Sequence, residues 1–185
     1  LRWIYVSSVE ESVVLFDVSL CDKWLLRPLE FFAVLSIIPS MDNSNVVLDT
    51  NVLIAALRSK HGASYKLLIS ISDNIYVPNI SVPLFVEYES VAKRKGMLEG
   101  LANEDIDAIL DYLLSKSRIR KVFYLWRPFL RDPKDDLVLE VAVESQCEYI
   151  VTFNKKDFKG IGKFGIEVLT PREFLLKKGI LKWAH

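Results

Sequence analysis

The chain predicts an α/β domain built on a mainly parallel sheet. Three observations carry this. Short apolar runs of strand length recur along the sequence. Stretches with helical spacing separate them. Acids and small polar residues gather where those runs end. "VVL" (46–48) reads as the first buried strand, and residues 51–58 as a short helix that Gly62 closes. Residues 63–72 read as a second helix, with Tyr65, Leu67, Leu68 and Ile71 near helical spacing. "NIYVP" (74–78) reads as a strand closed by Pro78. Ser81 and Pro83 then suit a cap and first turn, opening a helix that runs to about Lys95 before Gly96.

The clearest helix is "NEDIDAILDYLLSKS" (103–117). Asn103 is its expected cap, and Ile106, Ile109, Leu110, Leu113 and Leu114 form one apolar stripe. "IRKVFYL" (119–125) predicts a strand of mixed polarity, and "RPFLRDPKDD" (127–136) a loop with two prolines. Residues 136–146 read as a largely buried helix, "YIVTFN" (149–154) as a third apolar strand and "IEVL" (166–169) as a fourth. Thr170 and Pro171 open a last helix.

Bulk properties narrow the function classes. The chain has 185 residues, is 51% hydrophobic and carries no formal net charge. It can bury a core, and it does not grip nucleic acid by bulk charge. Cys21 and Cys147 form no zinc-spaced cluster, and two histidines are too few for a histidine-rich metal site. The pair reads as two reduced thiols of an intracellular protein. "LEFFAVLSIIP" (29–39) is too short to span a bilayer and lacks the flanks of a secretory signal. Residues 1–40 read as an extension, or as an over-called start before Met41, and residues 41–185 as the functional domain.

In open parallel sheets, ligands lie beyond the carboxyl ends of the strands. Asp49 ends the first strand. Asp132, Asp135 and Asp136 sit between the strand at 119–125 and the buried helix, and Thr152, Asn154 and Asp157 end the third apolar strand. Each has an ordinary reading as a cap or turn residue. Together they would crowd carboxylates that repel unless a cation joins them, and hard oxygen donors suit Mg²⁺ or Mn²⁺.

The stretches "VVLDTNVLIAAL" (46–57), "FVEYESV" (85–91), "DPKDDLVLEVAVESQCEYIVTFNKKDF" (132–158) and "LTPREFL" (169–175) resemble a PIN domain, nearest to VapC-type toxin components of toxin–antitoxin systems. The resemblance covers about residues 41–178. It implies a three-layer α/β/α fold and a cytoplasmic, Mg²⁺- or Mn²⁺-dependent endoribonuclease. It also implies an RNA substrate, a cognate antitoxin that blocks the site, a homodimer and no membrane association.

Residue by residue, Asp49 is similar to the first family acid, with Asn51 two positions on. Glu87 is similar to the second acid. Helical spacing alone does not separate Glu87 from Glu89. The third acid falls on Asp135 when counted along the helix from Ala142, and on Asp136 when counted across the loop from Thr152; helix register is the safer rule. Asn154 departs from the aspartate that many members carry, and Asp157 follows it. The implied catalytic acids are thus Asp49, Glu87, Asp135 and Asp157. Metal ligands come from these with Asp136 and Asn154, supported by Asn51 and Thr152. Lys134, Lys155, Lys156, Lys159, Arg58 and Lys60 are candidates to steer phosphates, and Tyr124 and Trp126 to stack on a base. Two other readings stand beside the nuclease. One is a catalytically weak PIN-fold module that binds RNA or protein. The other is a haloacid-dehalogenase-like phosphatase, which wants an aspartate where Asn51 stands.

Overall fold

The computed structural model describes residues 44–182. The chain divides at Ser40, and everything below concerns the unit Met41–His185. The readings made for residues 1–40 lie outside the described residues.

Strand β1, Ser44–Leu48, is the centre of a five-stranded sheet. Helices α1 (Thr50–Arg58) and α2 (Ala63–Ile69) follow. Next come β2 (Tyr76–Ile80), α3 (Val82–Ala92), α4 (Asn103–Lys116) and β3 (Arg118–Ile119). Then come α5 (Pro133–Glu144), β4 (Tyr149–Val151), β5 (Glu167–Leu169) and α6 (Pro171–Lys177). The strand order is β3-β2-β1-β4-β5, and every pairing is parallel. Neighbouring side chains of a strand point to opposite faces. Val46 and Val47 are both fully buried, as are Ile150 and Val151, so helices cover both faces of the central strands. This is the layered α/β architecture that the alternation predicts.

Several boundaries differ from expectation, each for a local reason. β2 runs through Pro78 instead of ending there. At that level β2 is an edge, because β3 pairs only with Asn79 and Ile80, and an edge tolerates proline. The expected strand at 119–125 shrinks to Arg118–Ile119. Beyond it the backbone turns to carboxylates of α5: Phe123 N–H points at Glu144, Trp126 N–H at Glu140, and Leu130 N–H at Asp136. The buried helix starts earlier than expected, at Pro133, because Asp132 is its cap and its Oδ1 accepts from Lys134 N–H at 2.9 Å. Neither Asp135 nor Asp136 is needed as a cap. At α4, Asn103 is the first helical residue, and Asp105 accepts from Ala102 N–H at 3.2 Å. α3 starts as expected, with Ser81 accepting from Leu84 N–H. α6 starts with a reciprocal box between Thr170 and Glu173.

Among the described residues, no helix is long and apolar enough to cross a membrane. Cys147 is a buried free thiol, pushed up to about 12 by burial.

Candidate active site

The chain leaves β1 in one direction for β2 and later returns to β1's other side for β4. That reversal opens a crevice beyond the carboxyl ends of β1 and β4. Asp49 is the first residue past β1, and Thr152 the first past β4. Asp49 N–H bonds to the Val151 carbonyl at 2.9 Å, which locks the two strand ends together.

Asp49 stands at the cap position of α1, yet its side chain makes no cap bond. The carboxylate instead receives Thr152 Oγ1–H at 2.6 Å and Asn51 Nδ2–H at 2.7 Å, both on Oδ2. Asn51 also reaches Thr152 Oγ1 at 3.3 Å, and its Oδ1 accepts from Phe153 N–H at 3.4 Å. Thr152 accepts in turn from Asn154 N–H at 2.9 Å. Asp49 is therefore held by both strand ends, with both side-chain donors on a single oxygen. Burial pushes its carboxyl above the usual carboxylate range. The Thr152 bond and the N–H groups at the start of α1 only partly offset this.

Asp135 lies half-buried in the first turn of α5. Its carboxyl is pushed up to about 6, first by desolvation, then by the charges of Asp49, Asp132, Asp157 and Asp136. Asp136, one residue on, is 1% exposed and serves the loop: its Oδ1 accepts from Leu130 N–H at 2.8 Å and Phe129 N–H at 3.4 Å.

Glu87 and Glu89, inseparable by spacing, point to different partners. Glu87 pairs with Lys134 of α5 at 3.0 Å, while Glu89 pairs with Lys93 at 2.8 Å on its own helix. The residue beside Glu87 fixes its helix. Tyr88 is buried and donates its hydroxyl to the Leu48 carbonyl, immediately before Asp49. Burial raises the Tyr88 hydroxyl further, so it stays a donor. Asn154 and Asp157 are exposed and close one turn, with Asp157 N–H on the Asn154 carbonyl at 2.9 Å.

The basic candidates divide. Lys134 is on Glu87, Lys155 is paired with Glu173 at 2.9 Å, and Arg58 binds the Met97 carbonyl at 3.1 Å. A cleft of about 400 Å³ lined by Leu57, Arg58, Met97 and Leu98 contains none of the acids. Trp126 packs edge-on against Tyr124 and Phe164, both at 4.8 Å.

Sequence reasoning missed two residues that shape this region. In the sequence Tyr88 shows only as one residue of "FVEYESV" (85–91), with no signal of its own. Glu140 is 2% exposed and grips Arg127 at 2.9 Å through both its oxygens while also accepting from Trp126 N–H at 3.2 Å. An acid in the middle of the apolar run "LVLEVAV" was the available signal, because a buried charge needs a partner.

The donor chemistry suits a hard dication. None of the six ion pairs among the described residues involves Asp49, Asp135 or Asp157, so their mutual repulsion has no protein cation to relieve it. Among the described residues, no three acidic, histidine or cysteine side chains stand close enough together to hold one ion. Mg²⁺ typically uses one or two carboxylates with waters and substrate phosphates, so Asp49 and Asp135 are donors of the right chemistry.

The profile of the PIN domain matches residues 45–156, more than half of the chain. The chain belongs to the PIN domain family. The match takes in Asp49, Glu87, Asp135, Thr152 and Asn154, and stops one residue short of Asp157. Among solved structures, a crystal structure of VapBC2 from Rickettsia felis bound to a DNA fragment from the promoter is similar. Identity is 23% and the TM-score 0.49, over 67% of this PIN-domain chain and 98% of that chain. No curated protein matches.

Proposed function

We propose that this PIN-domain chain is a metal-dependent endoribonuclease that hydrolyses RNA phosphodiester bonds. The observation that supports the reading is the placement of Asp49 just past β1 and of Asp135 in the first turn of α5, neither in an ion pair with a lysine or arginine among the described residues. Asp49 and Asp135 would hold Mg²⁺ or Mn²⁺, with Glu87 and Asp157 as the further acids. The ion would activate a water and offset charge on the phosphate oxygens. The chain's own groups orient the acids. Thr152 and Asn51 fix Asp49 through Oδ2, Tyr88 ties the Glu87 helix to the end of β1, and Asp132 starts the helix that presents Asp135. No Ser–His or Cys–His pair is needed, because the attacking group is water.

The toxin role, the cognate antitoxin, the homodimer and the cytoplasmic setting rest on the motif resemblance to VapC-type proteins. Co-expression with a neighbouring small open reading frame that restores growth would support them.

The catalytic reading is tested on a mixed RNA pool with purified full-length chain. Cleavage should require Mg²⁺ or Mn²⁺, stop with EDTA, and stop in Asp49→Asn at unchanged circular dichroism. A folded protein that binds RNA and never cleaves it would favour the second reading, a weak or inactive binding module. Asn154, neutral and exposed where many relatives carry an acid, is the observation on that side.

A further inference from the structure

We propose that Lys134 is a placeholder cation: it holds Glu87 in the metal-free protein and yields it when Mg²⁺ or Mn²⁺ enters. The inference rests on the metal-site reading above. Lys134 lies in the first turn of α5, between the cap Asp132 and Asp135. A basic residue is out of place there, because the helix dipole favours negative charge at that end. Its ammonium nevertheless crosses to α3 and meets Glu87 Oε1 at 3.0 Å. Among the described residues, this is the one ion pair that any of the candidate acids makes.

The geometry limits what can change. Tyr88 fastens α3 to the end of β1, and Asp132 fastens the start of α5. The two backbones are fixed, so Glu87 can change partner only by side-chain rotation. The Lys134 side chain is 56% exposed and that of Glu87 16%, so the lysine can swing into solvent while the acid stays at the crevice. With Glu87 drawn to Lys134, no three acids come together among the described residues. A half-exposed ammonium pair is weak enough for a dication to displace.

The test is calorimetric titration of Mn²⁺ into the RNA-free full-length protein at low ionic strength. Lys134→Gln should bind Mn²⁺ about two- to fivefold more tightly than wild type, the range an exposed pair's loss allows. Lys177→Gln removes the same charge from a pair with Glu167 on β5 and should leave the affinity unchanged. In a Glu87→Gln background the gain from Lys134→Gln should disappear, because the pair is already broken. Equal or weaker binding in Lys134→Gln overturns the proposal and leaves the metal site standing. A gain that survives in Glu87→Gln overturns it too, making Lys134 a general repelling charge. If neither wild type nor Lys134→Gln binds Mn²⁺ while both remain folded, the metal-site reading itself falls and takes the placeholder with it.

Discussion

Helix α5 carries two sets of acids that differ in one respect. Asp136, Glu140 and Glu144 recur every fourth residue, so they share one face of the helix, and each accepts a backbone N–H from the segment 123–130. Glu140 adds a two-pronged pair with Arg127. Asp135 sits one residue from Asp136 and has no such partners; desolvation and the charges of Asp49, Asp132, Asp157 and Asp136 push its carboxyl up instead. Burial does not separate the two sets in the expected direction, since Asp136 is more deeply buried than Asp135. Partner accounting does. A carboxylate whose acceptor capacity is spent holds structure, whereas one left among like charges is available to a cation.

The comparison can be broken in order of expected effect. Asp49→Asn should lower RNA cleavage roughly 10³-fold, the several kcal/mol a metal supplies to such a reaction. It should leave the fold intact by circular dichroism, because the amide oxygen still accepts from Thr152. Next, Glu140→Ala should destabilise the protein by about 2 kcal/mol, roughly 4–8 °C in melting temperature, since it removes charge-assisted bonds to Arg127. Thermal melts without metal read this, and an unchanged melting temperature would remove Glu140 from the structural set.

The smaller effect has the opposite sign. Asp135→Asn should raise the metal-free melting temperature at pH 7.5 by roughly 2–4 °C, after allowing for solvent screening at this half-exposed group. The sign follows from linkage. An acid raised in the folded state binds its proton more tightly there, so wild type loses stability as pH rises from about 4 to about 6 and regains none above. The gain from Asp135→Asn should therefore be full above pH 6 and vanish below pH 4. Asp136→Asn should lose stability at pH 7.5, and a gain there would erase the distinction between the two sets. Smallest of all, Lys177→Gln should leave the melting temperature unchanged within error, because its pair with Glu167 is exposed.

Much of this was legible in the sequence for physical reasons. β4 and the Val46–Leu48 stretch of β1 are continuous apolar runs because a parallel sheet covered on both faces requires them. Asp49 and Thr152 were placed at strand ends because those runs stop there. What stayed hidden depends on partners distant in the chain. Residues 119–125 have the composition of a strand, but Glu144, 21 positions away, takes the Phe123 N–H, and Glu140 that of Trp126 just beyond. Pro78 reads as a strand end only if the neighbouring strand is assumed to run alongside it. The different partners of Glu87 and Glu89 were hidden too, because Lys134 lies on another helix and no periodicity within α3 contains it.

The account turns on whether Asp49 and Asp135 share a cation. Anomalous diffraction from crystals of the full-length protein grown with Mn²⁺ measures this directly. The account predicts one strong peak ligated by carboxylate oxygens of both Asp49 and Asp135, with Glu87 released from Lys134. Mn²⁺ present elsewhere, with no peak between those two acids, would contradict it.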